Sequence, residues 1–278
     1  MRELLGINTL LGYLQATIPN IKDHRKPSPN TKYTIFDAVL GAFGIFLLQC
    51  ESFLEYQRQL NSRKGRDNTQ TLFGVVKIPT DAQIRNILDF INPNVLFEAF
   101  TKVYHLLKSQ GILKQFEVLG GQLLVPLDGT EYFSSKCIDC KQCSDRTHKN
   151  GTVTYFHTAI LPVIVSPNIE RVISLDPEFI TPQDGKEKQD CETAAAKRWI
   201  KRHANIFTSG GVTLLGDDLY GSEYLASFLV TLNLLAFLFH TVLHLMDVNY
   251  QLVRQQLGTR KRFFPDLQTL TTYFIFDS

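Results

Sequence analysis

The alternation of apolar and polar positions divides the chain into a helical first part and a mixed second part. Met1 to Ile18 is apolar at helical spacing, and Pro19 ends the run. Lys22 to Thr31, with its prolines and mixed charge, reads as a loop. Ile35 to Leu60 predicts one long helix, apolar through Phe36, Val39, Leu40, Phe43, Phe46 and Leu47 and polar after Cys50. Its apolar half is too short to span a bilayer, so it should pack into a core. Asn61 to Thr71 is a polar break. Thr80 then offers an N-cap with Gln83 three places on, the capping-box spacing. Pro93 interrupts, and Val95 to Leu107 supplies a further helix. Two short helices across an Asn-Pro turn can offer one helix to a DNA groove, although such pairs also occur simply as packing units.

Beyond residue 120 the period shortens. Leu123 to Leu127 is a short apolar run between Gly120-Gly121 and Gly129, the signature of a strand buried on both faces. Asp128 stands at its end, where Gly129 is expected to let the backbone turn. Gly211-Val-Thr-Leu-Leu-Gly-Asp-Asp218 repeats the arrangement, delivering Asp217 and Asp218. If the strands are neighbours, two carboxylates meet at one rim of a sheet, where ligands of open α/β sheets bind. Hard oxygen donors in that position suit Mg²⁺, although strand-end aspartates also cap turns. Between them, Thr152 to Ser166 predicts one long strand, Glu170 to Leu175 its hairpin partner through Ser166-Pro167-Asn168, and Asp190 to His203 a helix.

Composition narrows the setting only slightly. With 278 residues and 44% hydrophobic content the chain can bury a sizeable core. A net charge of +2 does not mark a nucleic-acid binder by itself. Basic residues concentrate locally, in Lys22 to Lys32 and Arg58 to Arg66, which leaves DNA open as a partner. Five cysteines, an odd number, with no secretory signal at the start, argue for the reducing cytoplasm. Cys137, Cys140 and Cys143, with His148 or the more distant His157, have ligand-like spacing for zinc, and a solvated loop of reduced cysteines accounts for them equally well.

Four stretches together resemble the DDE-type transposases of bacterial insertion sequences, in a group outside the major named families. They are Leu127-Asp-Gly-Thr-Glu-Tyr-Phe-Ser-Ser135, Thr152-Val-Thr-Tyr-Phe-His157, Pro182-Gln-Asp-Gly-Lys-Glu-Lys-Gln-Asp-Cys-Glu192 and Leu215-Gly-Asp-Asp-Leu-Tyr220. The likeness extends upstream to Lys77-Ile-Pro-Thr-Asp-Ala-Gln-Ile-Arg85 and downstream to Tyr224 through Phe237. The resemblance implies an α/β protein: a helical N-terminal region (residues 1–115), an RNase H-like core (116–222) and a C-terminal helical segment (223–278). It implies metal-dependent cleavage and joining of DNA at element ends, with Mg²⁺ or Mn²⁺ held by Asp128 and Asp217. Asp218 falls one place beyond the second ligand, where the pattern does not demand a carboxylate. A homo-oligomer is left open, and no membrane is expected.

The chain departs from that pattern after Asp217. In the family, the second half of the core and the helix bearing a catalytic Glu follow; here Glu223-Tyr-Leu-Ala-Ser-Phe228, matching a late apolar helix, comes at once. This is the mark of an internally deleted copy with a truncated core. Glu223, at a helix start, and Glu192, at another, are the acids within reach to replace the missing one. Leu225 to Met246 has the length to cross a bilayer but carries Asn233, His240, Thr241 and His244, and is expected to be a buried helix. Loss of the covering segment would leave it an apolar patch prone to aggregation. His240 and His244 share a face at i, i+4 and are expected in a core or interface. Gly258 to Pro265 forms a basic turn that can meet phosphate. Two readings follow: a DNA strand transferase impaired in catalysis, or a non-catalytic DNA-binding remnant that interferes with an intact transposase.

Overall fold

A computed structural model describes residues 6–62, 70–75, 77–118, 120–167, 169–182, 188–207 and 211–216. The chain divides into two compact units, Met1–Leu106 and Leu107–Ser278.

The first unit is helical. Helix α1 (Ile7–Thr17) runs into a 3₁₀ turn (Ile18–Asn20) at Pro19, as the proline requires. Helix α2 (Ile35–Leu47) begins with a complete capping box: Thr34 Oγ1 accepts from the Asp37 N–H, and Asp37 Oδ2 accepts from the Thr34 N–H. The long helix expected from Ile35 to Leu60 is broken. Gln49 takes a left-handed φ of 52°, its N–H bonds to Phe46 O, and the Cys50 N–H reaches back to Ile45 O. That pair of bonds is a Schellman stop. Ser52 then caps α3 (Phe53–Asn61), its hydroxyl accepting from the Glu55 N–H. The Ser52-x-x-Glu55 spacing carried this restart, and apolar periodicity running through it masked the signal.

Helix α4 (Asp81–Leu88) is capped by Thr80 through the Gln83 N–H, as expected. Pro93–Leu96 forms a 3₁₀ turn before α5 (Phe97–Ser109). Gly41 of α2 faces α4, where a Cβ would make ordinary contact with Ile84 Cδ1 at 3.4 Å. Leu11, Ile18, Ala38, Leu40, Phe73 and Ile87 form the centre of this core. Beside it, Tyr56 lies 1% exposed with its ring edge against Gly44, where any Cβ would collide with the hydroxyl.

The second unit is built on three chain passes that each cross from one sheet to another. The first pass is β1 (Leu123–Pro126) and β2 (Gly129–Ser135). After β3 (Ser144–Thr147), the second is β4 (Val153–Ile160) and β5 (Val163–Ser166), and the third is β6 (Ile169–Ser174) and β7 (Glu178–Ile180). The single long strand expected from Thr152 to Ser166 is therefore two, divided at Leu161-Pro162, because Pro162 has no N–H for a ladder. One sheet has the order β6-β5-β1-β8, with β8 (Val212–Leu215) parallel to β1 and the other pairs antiparallel. In the second sheet β2 lies on one edge of β4, while β3 and β7 pair in succession with the other.

Helix α6 (Lys188–Phe207) connects β7 to β8 and is longer than the sequence pattern suggested. Glu192, Ala195, Ala196, Trp199, Ile200 and His203 are its buried stripe, at the i, i+3, i+4 spacing of one helical face. The stripe docks on β7 through polar bonds. The Trp199 Nε1–H donates to Asp176 O (2.9 Å), Arg202 pairs with Asp176 Oδ2 (2.8 Å), and His203 Nε2 lies 2.7 Å from Asp176 Oδ1. Glu178 takes Arg198 and Arg202 on its two oxygens.

No helix among the described residues is long and apolar enough to cross a membrane. The expected buried helix from Leu225 to Met246 and the basic turn at Gly258 lie outside the described residues.

Two stability measurements check these packing arguments. The Tyr56 hydroxyl is buried without a hydrogen-bond partner among the described residues, a state that costs about 1–3 kcal/mol. Tyr56→Phe should therefore raise unfolding free energy by about 1 kcal/mol in urea titration, and a loss of that size would refute the arrangement. Burial would push the Asp176 carboxyl up, but His203 and Arg202 outweigh it and hold the group below its ordinary value. Its contribution is thus present above the unfolded value of about pH 3.9 and lost as pH falls through the lower folded value. Asp176→Asn should cost about 1–3 kcal/mol at neutral pH, because it removes the charge that meets the buried His203 and the solvent-accessible Arg202, and should flatten the acid limb of the stability profile.

Candidate functional site

The rim of the first sheet is set by β1 and β8, whose side chains are buried on both faces as the apolar runs require. They pair in parallel from Leu123↔Val212 to Pro126↔Leu215, and the Leu127 N–H donates to Leu215 O at 2.7 Å. Thr213, wholly buried in β8, places its hydroxyl on Gln122 Oε1. The two strands therefore run out side by side. Asp128 follows β1 at this rim and is exposed. Asp217, like Asp218, Glu223, His240 and His244, lies outside the described residues, and β8 is described up to Gly216.

Gly129 does not turn the chain, contrary to the sequence expectation. It opens β2 in register with Ile160. A glycine is needed there for a different reason: a Cβ would sit 2.6 Å from Glu192 Cδ and closer still to its Oε1. Glu192 of α6 thus lays a carboxylate over the residue next to Asp128 and is itself only 3% exposed. The sequence singled out Glu192 by reach alone. The contact that places it joins a strand to a helix 60 residues on, and no local pattern carries it.

The cysteine loop separates into participants and bystanders. It spans residues 136–143, between β2 and β3. Cys140 Sγ and Cys143 Sγ lie 3.4 and 3.3 Å from Nε2 of His157, and 3.7 Å from each other. Of the two histidines considered from sequence, the structure brings His157 to the thiols. His148 instead bonds Thr154 Oγ1 through Nε2 at 2.8 Å. Cys137 stands apart from the cluster, its N–H on Ser135 Oγ at 3.1 Å. Burial pushes the Cys143 thiol up, with the neighbouring Cys140 sulfur adding to the shift and the Cys140 N–H opposing it. Burial also lowers His157, which favours the neutral ring.

Beside this loop opens a polar groove of about 530 Å³, lined by Ser134, Lys136, Arg146, His148, Asn150 and Thr154 among others. Arg146 packs over the Phe156 ring at 4.7 Å and comes within 3.6 Å of Glu131, so its guanidinium is held at the groove wall. In the first unit, by contrast, the basic segment from Lys22 is partly neutralised within itself. Arg25 is bonded to Asp23 at 2.6 Å and to Tyr33 O, and holds the Asp23 carboxyl down at about 2. Residues 63–69, with Arg63, Lys64 and Arg66 of the second basic segment, lie outside the described residues.

No protein-family model, curated protein or solved structure matches the chain.

The contact over Gly129 has a direct test. Gly129→Ala should expel the Glu192 carboxylate from its buried position or shift α6, at a cost of about 1–3 kcal/mol typical of overpacking. Adding Glu192→Ala in the same chain should restore most of that loss. Urea titration of the two single variants and the double variant measures the coupling; strict additivity would refute the contact.

Proposed function

We propose that this chain is a transposase-like protein of an insertion sequence that binds DNA and is impaired in strand cleavage and joining. The observation that carries the reading is the parallel pairing of β1 and β8 within the order β6-β5-β1-β8. An antiparallel three-strand meander, then a helix, then a strand returning parallel to the first is the order expected of the RNase H-like core that the sequence resemblance implies. It supports the expectation that Asp128 and Asp217 serve one site, because each follows a strand of this pair.

The donor set at the rim suits a hard divalent cation. Asp128 offers an exposed carboxylate, Asp217 would offer a second, and Glu192 adds acidic character beside them. Asp128 and Asp217 would hold Mg²⁺ or Mn²⁺, which would supply activation of a water or 3′-hydroxyl and stabilisation of the leaving oxygen. The chain's own task is to hold the carboxylates rigidly on strand ends and to keep the DNA in place. Glu192 is buried under the sheet crossing and fixed by α6, so it is less free than Asp128 to reach a shared ion. Glu223 follows Asp217 by only six residues in the sequence, which is not where the resemblance puts the third acid. No stretch of the sequence matches the segment that bears the third acid in the resemblance, and this is the ground for the proposed impairment.

DNA binding needs only cations and donors along phosphates. Lys136, Arg146 and His148 in the polar groove provide these, with Ser134, Asn150 and Thr154 as neutral partners. The exposed face of α4, with Gln83, Arg85 and Asn86, is a second surface of the residue types that read DNA. A non-catalytic remnant that competes with an intact transposase for its ends is the alternative, and the groove favours it equally.

A supercoiled plasmid carrying the element's ends, incubated with the protein and Mg²⁺ or Mn²⁺, tests the proposal. Retention of the DNA with no nicking above background is expected, since losing one metal anchor costs on the order of 10³-fold in rate. Binding should weaken linearly in log–log plots against salt, and Lys136→Ala or Arg146→Ala should each lower the slope by about one. Nicking that vanishes in Asp128→Ala would overturn the impairment. Parallel assays of Glu192→Gln and Glu223→Gln would then identify the acid that completes the site.

A further inference from the structure

The Cys140-Lys-Gln-Cys143 segment is a tight turn, closed by the Cys143 N–H on Cys140 O at 3.1 Å. Both sulfurs accept from the backbone within it. The Gln142 N–H points to Cys140 Sγ at 3.3 Å, and the Cys140 N–H to Cys143 Sγ at 3.2 Å. These bonds hold the two sulfurs 3.7 Å apart on the turn, and thiolate is the form that ligates metal. The third group comes from another element. His157, in β4, is held with its ring stacked on Tyr132 at 5.8 Å and tilted against Phe133 at 5.6 Å. Its orientation toward the turn is fixed by packing.

The distances decide between chemistries. A disulfide needs sulfurs about 2.0 Å apart, and these stand 3.7 Å apart. A tetrahedral zinc ion with bonds of about 2.3 Å to sulfur and about 2.0 Å to nitrogen separates its sulfurs by about 3.8 Å and sulfur from nitrogen by about 3.5 Å. The observed separations of 3.7, 3.3 and 3.4 Å match all three edges of that tetrahedral face. Two soft thiolates and an imidazole are donors that select zinc over Mg²⁺ or Ca²⁺. We propose that Cys140, Cys143 and His157 hold a zinc ion, with its fourth position opening into the pocket beside Asp139. That pocket, about 370 Å³, is lined by the three ligands together with Tyr132, Phe133, Ile138 and Asp139.

Binding balances simply. Two thiol protons leave to solvent, the two thiolates cancel the ion's charge, and His157 donates its Nε2 lone pair, so its proton sits on Nδ1. The ion ties the loop between β2 and β3 to the middle strand of its sheet. Lys136, at the start of that loop, is thereby held at the groove wall. The site stands apart from the Asp128 rim and does not depend on any reaction there.

Full-length protein purified without chelator, with zinc read by elemental analysis, tests the proposal. One zinc per chain is expected, falling at least tenfold in Cys140→Ser, Cys143→Ser and His157→Asn and unchanged in Cys137→Ser and His148→Asn. Cobalt exchange of the wild-type chain keeps the test independent of variant folding. It should give the intense visible bands of a tetrahedral, thiolate-ligated Co²⁺ ion. Absence of zinc from the wild-type chain, an octahedral cobalt spectrum, or zinc lost in Cys137→Ser but kept in His157→Asn would each overturn the assignment.

Discussion

The buried Asp176 is the constraint on which the second unit turns. Its carboxylate takes Arg202 and His203, its backbone carbonyl takes the Trp199 indole, and the residue itself is 3% exposed. A carboxylate so far from water is tolerable only when its oxygens are satisfied by cationic or N–H donors. Those donors all come from one face of α6, so the helix has one rotation and one height at which the charge is met. Glu178, three-strand-side neighbour of the same helix, repeats the arrangement with Arg198 and Arg202. Rotation by one residue would strand two acids together with Arg198, Arg202 and His203.

From that docking the rim of the sheet follows. With α6 fixed at Trp199 and His203, its buried stripe continues two turns back to Glu192, which comes to rest over Gly129. Gly129 is the first residue past the point where the first chain pass leaves one sheet for the other. The crossing leaves Asp128 outside both ladders and exposed, while Leu127 before it stays buried and bonded to Leu215. The other two passes cross at Pro162 and Pro177, residues that cannot extend a ladder. The crossing thus combines rigid neighbours with an accessible carboxylate at the sheet edge.

The second sheet carries a different chemistry on the same strands. His157 pairs with Phe133 of β2 on one edge of β4 and lies between the stretches that pair with β3 and β7 on the other. The thiols come from a loop outside the ladders. The zinc ion proposed above would tie that loop to the strand. The polar groove with Lys136 and Arg146 lies on the strands flanking that loop.

Much of this was legible in the sequence where the controlling interaction is local. The strands ending at Pro126 and Leu215 were readable because burial on both faces forces a continuous apolar run, and the hairpin at Ser166-Pro167 because turn residues are local signals. Thr80 as a cap and Asp128 at a strand end belong to the same class. What stayed hidden depends on partners distant in the chain. Periodicity ran through Gln49 because the Schellman stop rests on backbone geometry that a glutamine does not advertise. Spacing offered His148 and His157 equally, and only the pairing of β4 with β2 turned His157 toward the thiols while Thr154 took His148. The need for glycine at 129 was visible as a residue and misread as a turn, because its cause is a carboxylate delivered by a helix from the far side of the fold. Local chemistry writes elements and caps into the sequence; which side chains meet across them is settled by packing, where one helix can satisfy its buried charges in only one position.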